Sequence, residues 1–248
     1  MGVVDGKVAL ITGASRGIGL AEAVGLAKEG ASIAIIANED CTSAVEEVRA
    51  LGVRAIGVEC DVRFADQVKQ AVDKVVDEFG RIDILVNNAH IIVKPHPMEQ
   101  WSVEEMNDQW ASGPLGTWLF MKECLPHLKK TKGRIINTAS GAGHGYLAGY
   151  SGYAAAKEAI RSLTRSAARE FGEFDICVNA IAPAALTPGS RGSIDPDVER
   201  TILGNKAIQR WGDPESDVAR AVVFLAGPDA SYITGDTINV NGGSSMLV

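Results

Sequence analysis

The chain has 248 residues, 46% of them apolar and 22% charged, with 24 Lys+Arg against 31 Asp+Glu and a formal net charge of −7. A chain of this length can bury its own core, and its composition excludes disorder, collagen and coiled coil. No apolar run approaches the ~18 residues of a membrane span, and no basic cluster marks a nucleic-acid binder. Cys41, Cys60, Cys124 and Cys177 lie far apart and form no C-x-x-C, which points to reduced thiols rather than a disulfide framework or a metal site. The first residues show no basic region ahead of an apolar one, so they do not read as a secretory signal. The expectation is a cytoplasmic protein with no metal, membrane or nucleic-acid partner.

In chain order, short apolar runs rich in β-branched residues alternate with helical segments. The first run, Lys7–Thr12, leads through Gly13-Ala14-Ser15-Arg16-Gly17-Ile18-Gly19 into a helix over Gly17–Glu29. The second, Ser32–Ala37, is followed by Asn38, Glu39 and Asp40, and the third is Arg54–Val58. Over Phe64–Phe79, the residues Val68, Ala71, Val72, Val75, Val76 and Phe79 recur at spacings of three and four, which marks one buried helix face. Further runs follow at Ile82–Val86, Arg134–Thr138, Ile176–Ile181 and Thr237–Val240. A helical region holding Trp101, Trp110 and Trp118 and a long helix from about Tyr150 to Phe171 lie among them. The tryptophans read as core or subunit interface.

Strands alternating with helices of this length form βαβ units, and nearly continuous apolar strands call for helices on both faces. The fold class is therefore α/β. It is a doubly wound, Rossmann-type parallel sheet of about seven strands, read as one domain over residues 1–248, with ligands beyond the carboxyl ends of the strands. The irregular stretch 188–213 reads as a substrate lid, with a short helix around Val198–Leu203.

Two constellations carry chemistry. Between the first strand and helix, the spacing G-x-x-x-G-x-G lets backbone approach a pyrophosphate, whose charge meets N–H groups at the helix N-terminus. The second strand ends without an acid for a ribose 2′-hydroxyl; Glu39 and Asp40 just beyond it would repel a 2′-phosphate, and Arg16 would attract one. NAD and NADP both fit, with Arg16 tipping the reading toward NADP. On the long helix, Tyr153 and Lys157 stand at i and i+4 on one face. The cation is expected to lower the tyrosine pKa and suit it to proton exchange with an alcohol or ketone. Ser140, just past the run Arg134–Thr138, could hold the same oxygen.

Together these motifs resemble the short-chain dehydrogenase/reductase family over essentially the whole chain. Thr12–Gly19 is similar to its cofactor loop, Asp61-Val62 to its adenine contact and Asn87-Asn88-Ala89 to its fourth-strand motif. Ser140, Tyr153 and Lys157 resemble its catalytic set at the expected spacing. Asn179–Pro183, Arg210-Trp211-Gly212-Asp213-Pro214, Ile233-Thr234-Gly235 and Gly242-Gly243 match its later features.

The resemblance implies an NAD(P)-dependent oxidoreductase that interconverts a secondary alcohol and a ketone by hydride transfer. In it Tyr153 would be general acid/base, Ser140 would orient the substrate oxygen, and Lys157 would bind nicotinamide ribose and tune Tyr153. Gly13, Ser15, Arg16, Gly17, Ile18 and Gly19 would hold the pyrophosphate end. Asn38, Asp61, Val62, Asn88 and Ala89 would line the adenosine and ribose positions, with Pro183 and Leu186 on the nicotinamide side. His90, His144 and Tyr146 lie in loops expected to join Ser140 at the substrate. A homotetramer or homodimer is also implied.

The sequence departs from the family pattern near this site. His90 stands where the family has glycine, Pro183-Ala184 where it has Pro-Gly, and Pro188 where it has threonine, with Thr187 one place early. Gly113 replaces an asparagine thought to hold a relay water below the lysine. Pro114 beside it is expected to kink or loosen the start of that helix. If the relay is lost, Gly113→Asn should raise turnover. Other readings are a 3-oxoacyl thioester reductase and, from a different class, a cofactor-binding protein with an impaired site.

Overall fold

The structure, a computed structural model, describes residues 2–91, 94–144, 148–187 and 196–246. Its centre is a seven-stranded, all-parallel sheet in the order β3-β2-β1-β4-β5-β6-β7. The strands are β1 (Val8–Thr12), β2 (Ser32–Ala37), β3 (Ala55–Glu59), β4 (Ile84–Asn87), β5 (Arg134–Thr138), β6 (Cys177–Pro183) and β7 (Thr237–Val240). Each lies within about two residues of its expected run. Strand β6 extends to Pro183 because its last residues pair with β7, Pro183 opposite Val240.

The helices fall on two sides. One core joins α1 (Gly17–Lys28), α2 (Thr42–Arg49) and α9 (Arg220–Ala226) to Ile11, Val86, Ile136 and Ile181 of the sheet. The other joins α3 (Ala65–Phe79), α5 (Gly116–Thr131) and α7 (Ser151–Phe171) to Leu10, Leu85, Ile135 and Val178. Neighbouring residues of one strand thus enter opposite cores, which is why the runs carry no polar alternation. The strand order reverses between β1 and β4, and the crevice beyond their carboxyl ends is where such a sheet takes ligands.

The expected break at Pro114 takes a different form. Helix α4 (Val103–Trp110) starts at a capping box in which Ser102 and Glu105 satisfy each other's backbone N–H groups. It then runs through a π turn, Ala111–Leu115, directly into α5. A π turn shifts the hydrogen-bond ladder by one residue and so accommodates the N–H that Pro114 lacks. The rod stays helical. Short helices α6 (Gly141–His144) and α8 (Pro196–Gly204) complete the described fold, and the expected lid helix is α8. Residues 188–195 of the expected lid lie outside the described residues.

Candidate active site

The glycine loop is shaped by contact as well as by conformation. Gly13 has φ +65°, and a Cβ there would stand 2.8 Å from the Ala89 Cα. A Cβ on Gly19 would stand 2.4 Å from the Gly13 carbonyl oxygen, which no side chain tolerates. Asn88 clamps the same turn: its Nδ2 donates to the carbonyls of Thr12 and Gly13, each at 3.0 Å. The Thr12 hydroxyl accepts from the backbone of Asn88 and Ala89. Sequence reasoning missed Thr12 as a clamp; Asn88, expected at the ligand, holds the loop through its Nδ2. The N-terminus of α1 carries no side-chain cap, so its first N–H groups remain available to an anion. Bare donors and a cradle that a Cβ would fill fit a dinucleotide pyrophosphate.

The ribose end is more acidic than it is basic. The Ser15 hydroxyl donates to Glu39 at 2.5 Å, and the Arg16 guanidinium lies 3.4 Å from the same carboxylate. Asn38 is exposed just past β2, and Ile18 packs partly into the α1-side core. Beyond β3 the Asp61 carboxylate is gripped by Arg63, which also reaches Asp108 at 2.8 Å, and Val62 is buried against Gly116. Arg63 holds the Asp61 carboxyl below its ordinary range. On the other side, Pro183 ends β6 and the Leu186 N–H donates to the Gly212 carbonyl, closing the stem of the expected lid.

Ser140, Tyr153 and Lys157 meet at the carboxyl end of β5. Lys157 is buried and donates to the Thr138 carbonyl at 2.7 Å, while its ammonium lies 5.5 Å from the centre of the Tyr153 ring. The Ser140 oxygen accepts from the Ala142 N–H, and its hydroxyl is hydrogen-bonded to the Tyr153 phenol. Burial pushes Lys157 down to about 7, with Glu22 opposing. Tyr153 corrects the expected direction: burial raises its pKa, the Ser140 hydroxyl partly offsets this, and Tyr150 adds to the rise. Desolvation of the phenolate outweighs the cation in the next turn.

The other candidates separate. His144 turns to the C-terminal segment, its Nε2 3.0 Å from the Ser245 hydroxyl, so this nitrogen is taken up within the chain rather than offered to a substrate. Tyr146 lies outside the described residues. His90 packs on the site itself, its ring centre 5.1 Å from that of Tyr153.

One buried group was missed altogether. Glu22 on α1 is fully buried, and neither carboxylate oxygen has a partner among the described residues. Burial pushes it up to about 8, with Lys157 pulling it back. A signal existed: Glu22 lies three residues after Gly19 and four before Leu26, on the helix face that enters the core.

A doubly wound sheet with a glycine cradle at its switch point and a serine–tyrosine–lysine cluster beside it defines a nucleotide-dependent oxidoreductase of alcohols and ketones. Comparison with known proteins agrees. A family model described as enoyl-(acyl carrier protein) reductase matches residues 13–245. A 12alpha-hydroxysteroid dehydrogenase from a Clostridium species is 40% identical, the match covering 98% of each chain. A 3-oxoacyl-[acyl-carrier-protein] reductase from Staphylococcus epidermidis is 36% identical over 97% of this chain and 99% of its own. The crystal structure of carveol dehydrogenase from Mycobacterium avium in complex with NAD superposes with a TM-score of 0.91 at 30% identity, covering 98% of this chain and 99% of that one. The chain belongs to the short-chain dehydrogenase/reductase family, and it is an NAD(P)-dependent oxidoreductase acting on CH–OH groups.

Proposed function

We propose that Ser140, Tyr153 and Lys157 carry out the interconversion of a secondary alcohol and a ketone. The observation that carries this reading is the meeting of Tyr153 with buried Lys157 one turn apart on α7, the Ser140 hydroxyl hydrogen-bonded to the phenol. A bound nicotinamide supplies the hydride acceptor or donor. The chain supplies the rest. Ser140 donates a hydrogen bond to the substrate oxygen, and Tyr153 Oη exchanges a proton with that oxygen. Lys157, held by the Thr138 carbonyl, stands below the phenol and in its protonated form favours the phenolate when the proton leaves.

The cofactor is NAD or NADP, and the placement of Glu39 favours NAD. Arg16 supports NADP as a ligand for a 2′-phosphate. Its guanidinium lies beside Glu39, however, and the same carboxylate accepts from Ser15, as a ribose 2′-hydroxyl would require. An exposed ion pair of this kind is worth ~0–1 kcal/mol, so the balance is set by repulsion between Glu39 and a 2′-phosphate. The substrate we favour is a free secondary alcohol or ketone, as the hydroxysteroid relative suggests. Of Arg161, Arg165 and Arg169, spaced four apart on α7 where they could meet an acidic carrier, Arg161 is paired with Glu158 at 2.8 Å, and the chain is itself acidic. A 3-oxoacyl thioester is the second reading, on the similarity to the Staphylococcus reductase.

Further proposals concern context. The face of α4 and α5 that exposes Trp110, Leu115 and Trp118 supports a homodimer or homotetramer. The four cysteines are buried and free, which suits a cytoplasmic protein. Residues 188–213 act as a lid on one domain, on the support of the paired stem at Ala185 and Gly212. The test is nicotinamide absorbance against a 12α-hydroxysteroid, other secondary alcohols and a 3-oxoacyl thioester, each with both cofactors. Turnover of an alcohol or ketone with NAD preferred is expected. Cofactor binding without turnover on any of them overturns the reading.

A further inference from the structure

Two departures from the family pattern, His90 and Gly113, prove to be one exchange. A Cβ on Gly113 would lie 2.6 Å from His90 Cε1 and 3.0 Å from its Nδ1. The imidazole therefore fills the space beside the π turn that a side chain at position 113 would need. Its orientation is fixed. Gln109, fully buried one turn earlier, donates through Nε2 to the Ile91 carbonyl at 3.0 Å, so its Oε1 faces His90 Nε2, also at 3.0 Å. An amide oxygen only accepts, and Nε2 must carry the proton. Ser112 secures the same loop, accepting from the Ile91 N–H and donating to the Asp108 carbonyl.

That arrangement leaves Nδ1 as a bare acceptor, buried and without a partner among the described residues. A buried acceptor of this kind costs ~1–3 kcal/mol unless something donates to it. Lys157 interacts electrostatically with this ring, and its ammonium has three hydrogens of which one is bonded to the Thr138 carbonyl. Burial and the Lys157 charge hold the ring neutral, so Nδ1 stays free to accept.

We propose that His90 is a positioning residue for this reaction: its Nδ1 accepts a hydrogen bond from a water carried by the Lys157 ammonium, and so aims that ammonium beneath Tyr153. The inference rests on the assignment of Tyr153 and Lys157 made above. The imidazole supplies from the end of β4 what a side chain on the helix at position 113 cannot. No proton moves onto His90; it orients the donor and keeps its own tautomer.

The exchange also reverses an expectation. Gly113→Asn alone drives a Cβ into the imidazole and lowers turnover rather than raising it, while His90→Gly clears the space the asparagine needs. The test uses the full-length protein with a 12α-hydroxysteroid and a 3-oxoacyl thioester as probes, with melting temperature and ¹⁵N-histidine NMR as readouts that need no turnover. His90→Phe keeps a ring against Tyr153 and deletes the acceptor. It should lower kcat by about 10–100-fold, the loss of one hydrogen bond to a charged group, with KM nearly unchanged. The double variant His90→Gly/Gly113→Asn should recover most of the activity and stability that Gly113→Asn loses. In the native protein, the His90 Nδ1 resonance should be that of a hydrogen-bonded acceptor. A His90→Phe enzyme within about twofold of native kcat, or a double variant no better than Gly113→Asn, would overturn the proposal. If Tyr153→Phe also keeps its turnover, it is the underlying assignment that has failed.

Discussion

The two halves of the crevice treat buried polar groups in opposite ways. Around the glycine loop they are paired: Asn88 spends its amide on two carbonyls, and the Thr12 hydroxyl accepts from two N–H groups. Around Lys157 they are left open. Both Glu22 oxygens, Thr138 Oγ1, Asn87 Oδ1 and His90 Nδ1 are buried without partners among the described residues. Each such group left unpaired costs ~1–3 kcal/mol, a cost relieved where water or substrate completes the bond. The cofactor half is a rigid mould made of backbone, and the proton half is a set of side chains tuned by burial.

That contrast can be broken at either end. The largest effect on binding should come from the mould. Gly19→Val forces a branched side chain onto the Gly13 carbonyl and the Asn88 amide, and dinucleotide affinity should fall by at least ~100-fold, read by fluorescence titration with a melting curve as the check on folding. A variant that binds normally would mean the cradle is looser than its contacts show.

A smaller effect is expected at the rim of the same half. Glu39→Ser removes the carboxylate that faces Arg16 and Ser15, so the NADP-to-NAD ratio of kcat/KM should rise by about tenfold, ~1.4 kcal/mol. An unchanged ratio would remove Glu39 from cofactor choice.

The smallest effect belongs to stability, and its sign follows from the protons. Glu22 has its pKa raised from 4.5 to about 8, so across that window the folded chain binds more protons than the unfolded one. Its contribution is fully present below the unfolded pKa and is lost as pH rises through the folded one. Lys157, lowered from 10.5 to about 7, acts oppositely: its contribution is present at high pH and is lost as pH falls toward 7. Glu22→Gln should therefore melt close to native at about pH 5 and above it at about pH 8.5, the gap widening as pH rises. A gap that does not widen with pH would show that the carboxyl is not held neutral.

Most of the fold was legible in the sequence because parallel strands buried on both faces are written as continuous runs such as Ser32–Ala37. The glycine cradle was legible because its demands are conformational and lie within a few residues of one another. The proton half was less so. His90 and Gly113 read as separate departures, and only the contact of the imidazole with the π turn joins them. Pro114 reads as a helix breaker, yet a one-residue shift in the hydrogen-bond ladder absorbs it. The Tyr153 pKa was misjudged because helix spacing shows the neighbouring cation but not the depth of burial. Glu22 was visible as an acid on an inward face, but that it faces Lys157 is set by how α1 packs on the sheet.

The central claim is that holding the dinucleotide and moving the proton are separate tasks of separate halves. It is tested most directly by Tyr153→Phe, with dinucleotide affinity and turnover measured on one preparation. The account predicts unchanged affinity and kcat lowered by about 10²–10⁴-fold, the usual worth of a positioned acid/base. Turnover within a few fold of native, or loss of affinity in step with turnover, would contradict it.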